Sequence, residues 1–186
     1  MVKVVIINGL ATVGKSTFCA MCAEYCKDRS EPIHCYELST VDFVKEVANY
    51  AGWDGVKDEK GRQFLHELKM SMSRYDDIPT KKVAQAIQYY TDAHPLDNFV
   101  FFINARESAD IANLDTYIKS NYGWDVTKLL LRNDKKAVSE VPELVDDIFK
   151  PDYDCTIMNE GSLDELRKSA SRFIEDLVYG KYVKKS

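Results

Sequence analysis

The first seventeen residues constrain this chain more than any other stretch. Val4-Val5-Ile6-Ile7-Asn8 is an apolar, β-branched run, Gly9 to Gly14 follow, and Lys15-Ser16-Thr17 open an amphipathic helix. Glycine, four residues, then Gly-Lys-Ser is the P-loop spacing, and it falls between a strand and a helix, as that loop must. Each residue type has a physical reason. The glycines let the backbone turn tightly and bring its N–H groups against phosphate oxygens. The helix start adds unpaired donors and the positive end of the dipole. Lys15 then neutralises the β- and γ-phosphates, and the Ser16 hydroxyl ligates Mg²⁺. Gly9, Ala11, Thr12, Val13, Gly14, Lys15, Ser16 and Thr17 are therefore expected to hold a nucleoside triphosphate, with Ser16 as the metal ligand.

A length of 186 residues suits one domain with a substantial core. The net charge of −5 argues against general nucleic-acid binding, which relies on a basic surface. No apolar run reaches the length of a membrane span, and the N-terminus lacks a signal peptide's pattern. The expectation is a cytoplasmic protein with neither a nucleic-acid nor a membrane partner. Cys19, Cys22 and Cys26 share one face of the first helix and read as small apolar packing groups. His34, His66 and His94 show no metal-ligand spacing.

Along the chain, apolar runs alternate with helical patterns. A helix over 15–28 leads to a strand at 33–38. Cap residues at 39–42 then precede a helix with Phe43, Val44, Val47 and Ala48 at helical spacing, which stops at Gly52. Residues 61–75 read as a helix with Phe64, Leu65, Leu68 and Met72 inward, and 79–93 as another. Arg62 and Lys69 lie seven apart on one face of the first of these, where both can point at one anion. The remaining strands are expected at 99–103, 127–131 and 154–158. Between them come a helix at 109–121 and a charged stretch at 133–152. Ser162 with Glu165 makes a capping box for the last helix. Strands alternating with helices, most of them continuously apolar, predict a three-layer α/β P-loop NTPase fold. Its sheet would be parallel and five-stranded, with helices on both faces and a helical insertion between strands two and three.

The residues outside the P-loop narrow the class. A GTPase needs Asn-Lys-x-Asp at a strand end, and Arg132-Asn133-Asp134-Lys135 stands there instead. Size and acidity disfavour a helicase or terminase subunit. Arg106 and Arg132 each follow a strand, where phosphoryl transfer between two anions needs positive charge.

With these residues the chain resembles the P-loop nucleoside monophosphate kinases, especially the phage-type deoxynucleoside monophosphate kinases and the related dephospho-CoA kinases. Ser39-Thr40-Val41-Asp42-Phe43-Val44-Lys45-Glu46 is similar to the family's segment ending strand two. Gly61-Arg62-Gln63-Phe64-Leu65 is similar to its acceptor-site helix, and Asn104-Ala105-Arg106-Glu107-Ser108 to the segment after strand three. Asp154 to Leu163 resembles the terminal segment near the adenine base. The resemblance implies one kinase domain over 1–186, with 53–95 as an acceptor-binding insertion and 133–152 as a short lid-like segment. It implies ATP and Mg²⁺ as cofactors and phosphoryl transfer to a nucleotide-like small molecule, with a homodimer allowed. Dephospho-CoA, another small metabolite, or a low-turnover nucleotide sensor are the alternatives. Carried over by residue, Lys15 and Asn159 belong to the donor site. Asp42 is a base or metal-linked carboxylate, or else a plain helix cap. Arg62, Lys69 and Arg106 clamp the acceptor phosphate. Arg132 acts on the moving phosphoryl group, with Lys135 and Lys136 as lid candidates. The family's acid at the end of strand three is Asn104 here, so one expected carboxylate is missing.

Overall fold

The computed structural model describes residues 1–137 and 147–181. In chain order its elements are β1 (Val2–Asn8), α1 (Lys15–Lys27), β2 (Ile33–Ser39), α2 (Asp42–Tyr50), α3 (Glu59–Asp76) and α4 (Ile78–Ala93). Then come β3 (Asn98–Asn104), α5 (Ser108–Tyr122), β4 (Asp125–Arg132), the single turn α6 (Asp134–Ala137), β5 (Cys155–Met158) and α7 (Leu163–Val178). The strands stand in the order β2-β3-β1-β4-β5, and every pairing is parallel. Parallel neighbours need crossover connections, and the helices supply them.

Two cores follow from the alternation of side chains along the central strands. On one face Val5, Ile7, Val100, Phe102, Leu129 and Leu131 pack against Phe18 and Cys22 of α1 and Phe173 and Leu177 of α7. On the other, Val4, Ile6, Phe99, Phe101 and Ile103 meet Val83 and Ile87 of α4 and Ile111, Leu114 and Ile118 of α5. This is the three-layer α/β arrangement expected from the apolar runs. Cys19, Cys22 and Cys26 are buried free thiols in the first core, as their spacing suggests.

Local chemistry sets the helix ends. The Ser162 hydroxyl accepts from the Glu165 backbone N–H, and the Glu165 carboxylate accepts from the Ser162 N–H, so the capping box is complete. Asp58 accepts from Gly61 N–H at 2.7 Å, which starts α3 two residues before the apolar pattern does. The expected inward face of α3 needs correction. Phe64 is exposed, Leu65, Leu68 and Met72 are half-buried, and Lys69 is the most deeply buried side chain of the helix. α4 belongs to the layer on the sheet, whereas α3 rises over the carboxyl edge. Residues 138–146 of the stretch read as lid-like lie outside the described residues, as does the tail beyond 181.

Candidate active site at the carboxyl edge of the sheet

The loop between β1 and α1 has the backbone its glycines permit. Gly9 has φ 145°, and a Cβ there would stand 2.3 Å from the Leu131 carbonyl oxygen. Gly14 has φ 97°, and a Cβ there would meet Asn159 Nδ2 at 2.7 Å. Thr12, at φ 57°, takes a left-handed conformation that costs a non-glycine residue about 1–2 kcal/mol. Lys15 Nζ donates to the carbonyls of Gly9 at 2.6 Å and Leu10 at 2.9 Å. Burial, and then the charge of Arg106, lower the Lys15 pKa to about 8. An ammonium held out of water beside a guanidinium is stabilised by an anion, so this cradle fits polyphosphate.

Next to it lies a carboxylate that spacing did not single out. Glu37, on β2, accepts at Oε1 from the Ser16 hydroxyl at 3.0 Å and from Asn104 Nδ2 at 2.7 Å. The β2–β3 register aligns Glu37 with Phe102 and Ser39 with Asn104, which puts Glu37 and Asn104 on the α1 side of the sheet. An acid inside a strand of a helix-covered parallel sheet was the available signal, because such positions are normally apolar.

A cleft of about 500 Å³ opens over the carboxyl ends of β1, β2 and β3. Gly9, Lys15, Asn104 and Arg106 from the strand ends and P-loop line it together with Lys45 of α2, Lys57, and Arg62 and Lys69 of α3. Its walls carry six Lys and Arg side chains against one carboxylate, Glu107, in a chain of net charge −5. Not all of that charge is available. Lys45 pairs with Asp42 at 3.2 Å. Lys69, 4 % exposed, pairs with Glu107 at 2.5 Å and also with Asp110. Among the described residues, Lys57, Arg62 and Arg106 make no ion pair.

The residues singled out from the sequence therefore separate. Lys15, Arg62 and Arg106 share the cleft. Lys69 reaches its wall already paired with Glu107 and Asp110. Asp42 is not among the lining residues: it occupies the first turn of α2, exposed and turned to Lys45, while Val41 holds the cap position. Arg132 donates to Asp134, and its guanidinium lies 4.7 Å from the Phe149 ring centroid. Asn159 Nδ2 donates to the Val13 carbonyl at 2.8 Å, so it touches the P-loop. Lys135 is exposed, and the Lys136 side chain lies outside the described residues.

No protein-family model matches this chain, and no curated protein does. Solved structures do. The tunicamycin resistance protein of Deinococcus radiodurans superposes with a TM-score of 0.60 at 11 % identity, over 94 % of this chain and 96 % of that one. The APS kinase of Mycobacterium tuberculosis, in complex with AMPPNP and APS, gives 0.54 at 13 % identity, over 93 % and 97 %. The shikimate kinase of Aquifex aeolicus gives 0.50 at 16 % identity over the whole of both chains. They share with this chain the three-layer α/β P-loop fold. At such identities the likeness is one of fold, and what a P-loop kinase fold does in this chain rests on its own residues. Among the described residues no helix is long and apolar enough to cross a membrane.

Proposed function

We propose that this chain transfers the terminal phosphoryl group of ATP to a small phosphorylated acceptor of the (deoxy)nucleoside monophosphate class. The observation that carries the reading is a single cleft joining Lys15 and Gly9 of the P-loop to Arg62 and Arg106. Phosphoryl transfer between two anions is mostly positioning and charge stabilisation, so it needs cationic groups for both substrates in one enclosure. The APS kinase neighbour, which holds AMPPNP and APS together, lends support by analogy.

In this reading Lys15 and the backbone from Gly9 to Thr17 hold the donor phosphates, and Lys15 regains its full charge as they arrive. Arg106, whose charge already acts on Lys15, stands between the two substrates and clamps the acceptor phosphate from the donor side. Arg62, carried on α3, holds the acceptor's own phosphate. Ser16 would hold Mg²⁺, which when bound offsets phosphate charge and orients the donor. Asn159 shapes the P-loop and borders the base. Asp42 and Lys69 take structural roles, because their charges are spent on Lys45 and on Glu107 with Asp110. Arg132 would join only by leaving Asp134.

A steady-state screen of nucleoside monophosphates, dephospho-CoA and other small phosphorylated metabolites with ATP and Mg²⁺ tests the proposal. Acceptor-dependent ADP formation with a monophosphate supports it, and turnover with another metabolite alone moves the acceptor class. Tight AMPPNP binding without turnover of any acceptor would mark a nucleotide sensor instead.

A further inference from the structure

A divalent cation at this P-loop would have to be held with few protein ligands. Among the described residues no group of three or more His, Cys, Asp or Glu side chains could hold a metal ion. Magnesium commonly binds in that way, taking one or two protein oxygens, several waters and the substrate's phosphates. A hydroxyl alone brings no charge to the ion, so a carboxylate close to Ser16 is the group to look for. Asp42 is turned to Lys45 and Asp134 to Arg132. Glu37 hydrogen-bonds Ser16 directly.

We infer that Glu37, oriented by Asn104, is the carboxylate that shares a divalent cation with Ser16 and the bound triphosphate. The inference rests on the ATP-site reading above. Three observations carry it. First, Ser16 Oγ and Glu37 Oε1 are 3.0 Å apart. In an octahedral magnesium site with bonds of about 2.1 Å, adjacent ligand oxygens are about 3.0 Å apart. The pair therefore needs no separation to serve one ion; the hydroxyl proton only has to rotate off the carboxylate. Second, Glu37 and Ser16 are both exposed, so a hydrated ion can reach them from solvent. Third, Asn104 Nδ2 donates to the same Oε1 at 2.7 Å. An amide donor beside a ligating carboxylate fixes its rotamer, as outer partners of metal ligands do. A second acid at position 104 would repel Glu37 instead. The asparagine that looks like a lost carboxylate is thus the support of one on the neighbouring strand.

The test uses the whole chain, Mn²⁺ as the metal and AMPPNP as the nucleotide, with bound Mn²⁺ followed by electron paramagnetic resonance. Glu37→Gln, nearly isosteric and checked for an unchanged melting curve, is expected to weaken Mn²⁺ binding to the AMPPNP complex by about tenfold or more. Its affinity for AMPPNP without metal should be at least that of the unsubstituted chain, because a negative charge has left the phosphate site. Asn104→Ala should lose about tenfold in Mn²⁺ affinity with Glu37 intact. Unchanged Mn²⁺ affinity in Glu37→Gln overturns the inference while leaving the nucleotide site standing. Unchanged affinity in Asn104→Ala overturns the orienting role. A chain that binds AMPPNP neither with Mn²⁺ nor without it overturns the ATP-site reading and this inference with it.

Discussion

Asn159 donates its side-chain amide to the carbonyl of Val13 at 2.8 Å, tying the turn after β5 to the middle of the P-loop. The approach is possible because Gly14 has no Cβ, which would stand 2.7 Å from that nitrogen. The turn is held in its own right, since Asn159 N–H donates to the Arg132 carbonyl and Asn133 Nδ2 donates to the Asn159 carbonyl. The P-loop is therefore braced by β4 and β5 before any phosphate arrives, and preorganisation of this kind lowers the ordering cost of binding.

Asn159→Ala should destabilise the chain by about 1–3 kcal/mol, because it leaves a partly buried carbonyl without its donor. It should also weaken AMPPNP binding. A urea melt and a nucleotide titration check both effects.

Nucleotide affinity should fall as the pH rises through about 8. In the free protein, burial and Arg106 hold the Lys15 pKa near that value, and a bound polyphosphate favours the charged form and raises it. Binding then takes up protons, most steeply around pH 8, and the affinity contributed by the ammonium declines above it. Titration calorimetry in buffers of different ionisation enthalpy measures the uptake directly. Lys15→Met should abolish it.

What could be read from the sequence was what is contiguous along the chain. The P-loop is one unbroken stretch whose chemistry is written in neighbouring residues, and the capping box at Ser162 spans four positions. The core strands announced themselves because both their faces are covered. Glu37 and Lys69 were hidden for the same physical reason. Glu37 gains its meaning from Ser16, on the helix before its strand, and from Asn104, which the β2–β3 register brings near. Lys69 has the spacing of a solvated cation, and its carboxylates lie 38 and 41 residues further along. The apolar face of α3 overhangs a cleft, so Phe64, Leu65, Leu68 and Met72 lack the full cover that a sheet-packed helix has.

Lys69→Met should cost about 3 kcal/mol, because it leaves the mostly buried Asp110 beside the half-exposed Glu107 with no cation between them. Asp110→Asn in the same chain should return part of the loss. Urea denaturation of the single and double variants measures both, and a loss under about 1 kcal/mol would show that the triad is as weak as an exposed ion pair.

Arg106→Ala should raise the acceptor KM by about 10- to 100-fold, the loss of a hydrogen bond to a charged group. The metal-free affinity for AMPPNP should fall by less, because Lys15 stays and, with the neighbouring cation gone, protonates more fully. Paired acceptor and AMPPNP titrations separate the two, and an effect confined to the nucleotide would move Arg106 wholly to the donor side.

In the proposed function one cleft brings ATP and a phosphorylated acceptor together. Its most direct test follows the labelled γ-phosphoryl group of ATP into product with a panel of nucleoside monophosphates, for the unsubstituted chain and for Lys15→Ala. Label is expected on a monophosphate with the unsubstituted chain and on none with the variant, whose fold stays intact by circular dichroism. Label transferred equally by both would contradict it, and so would label found on no acceptor at all.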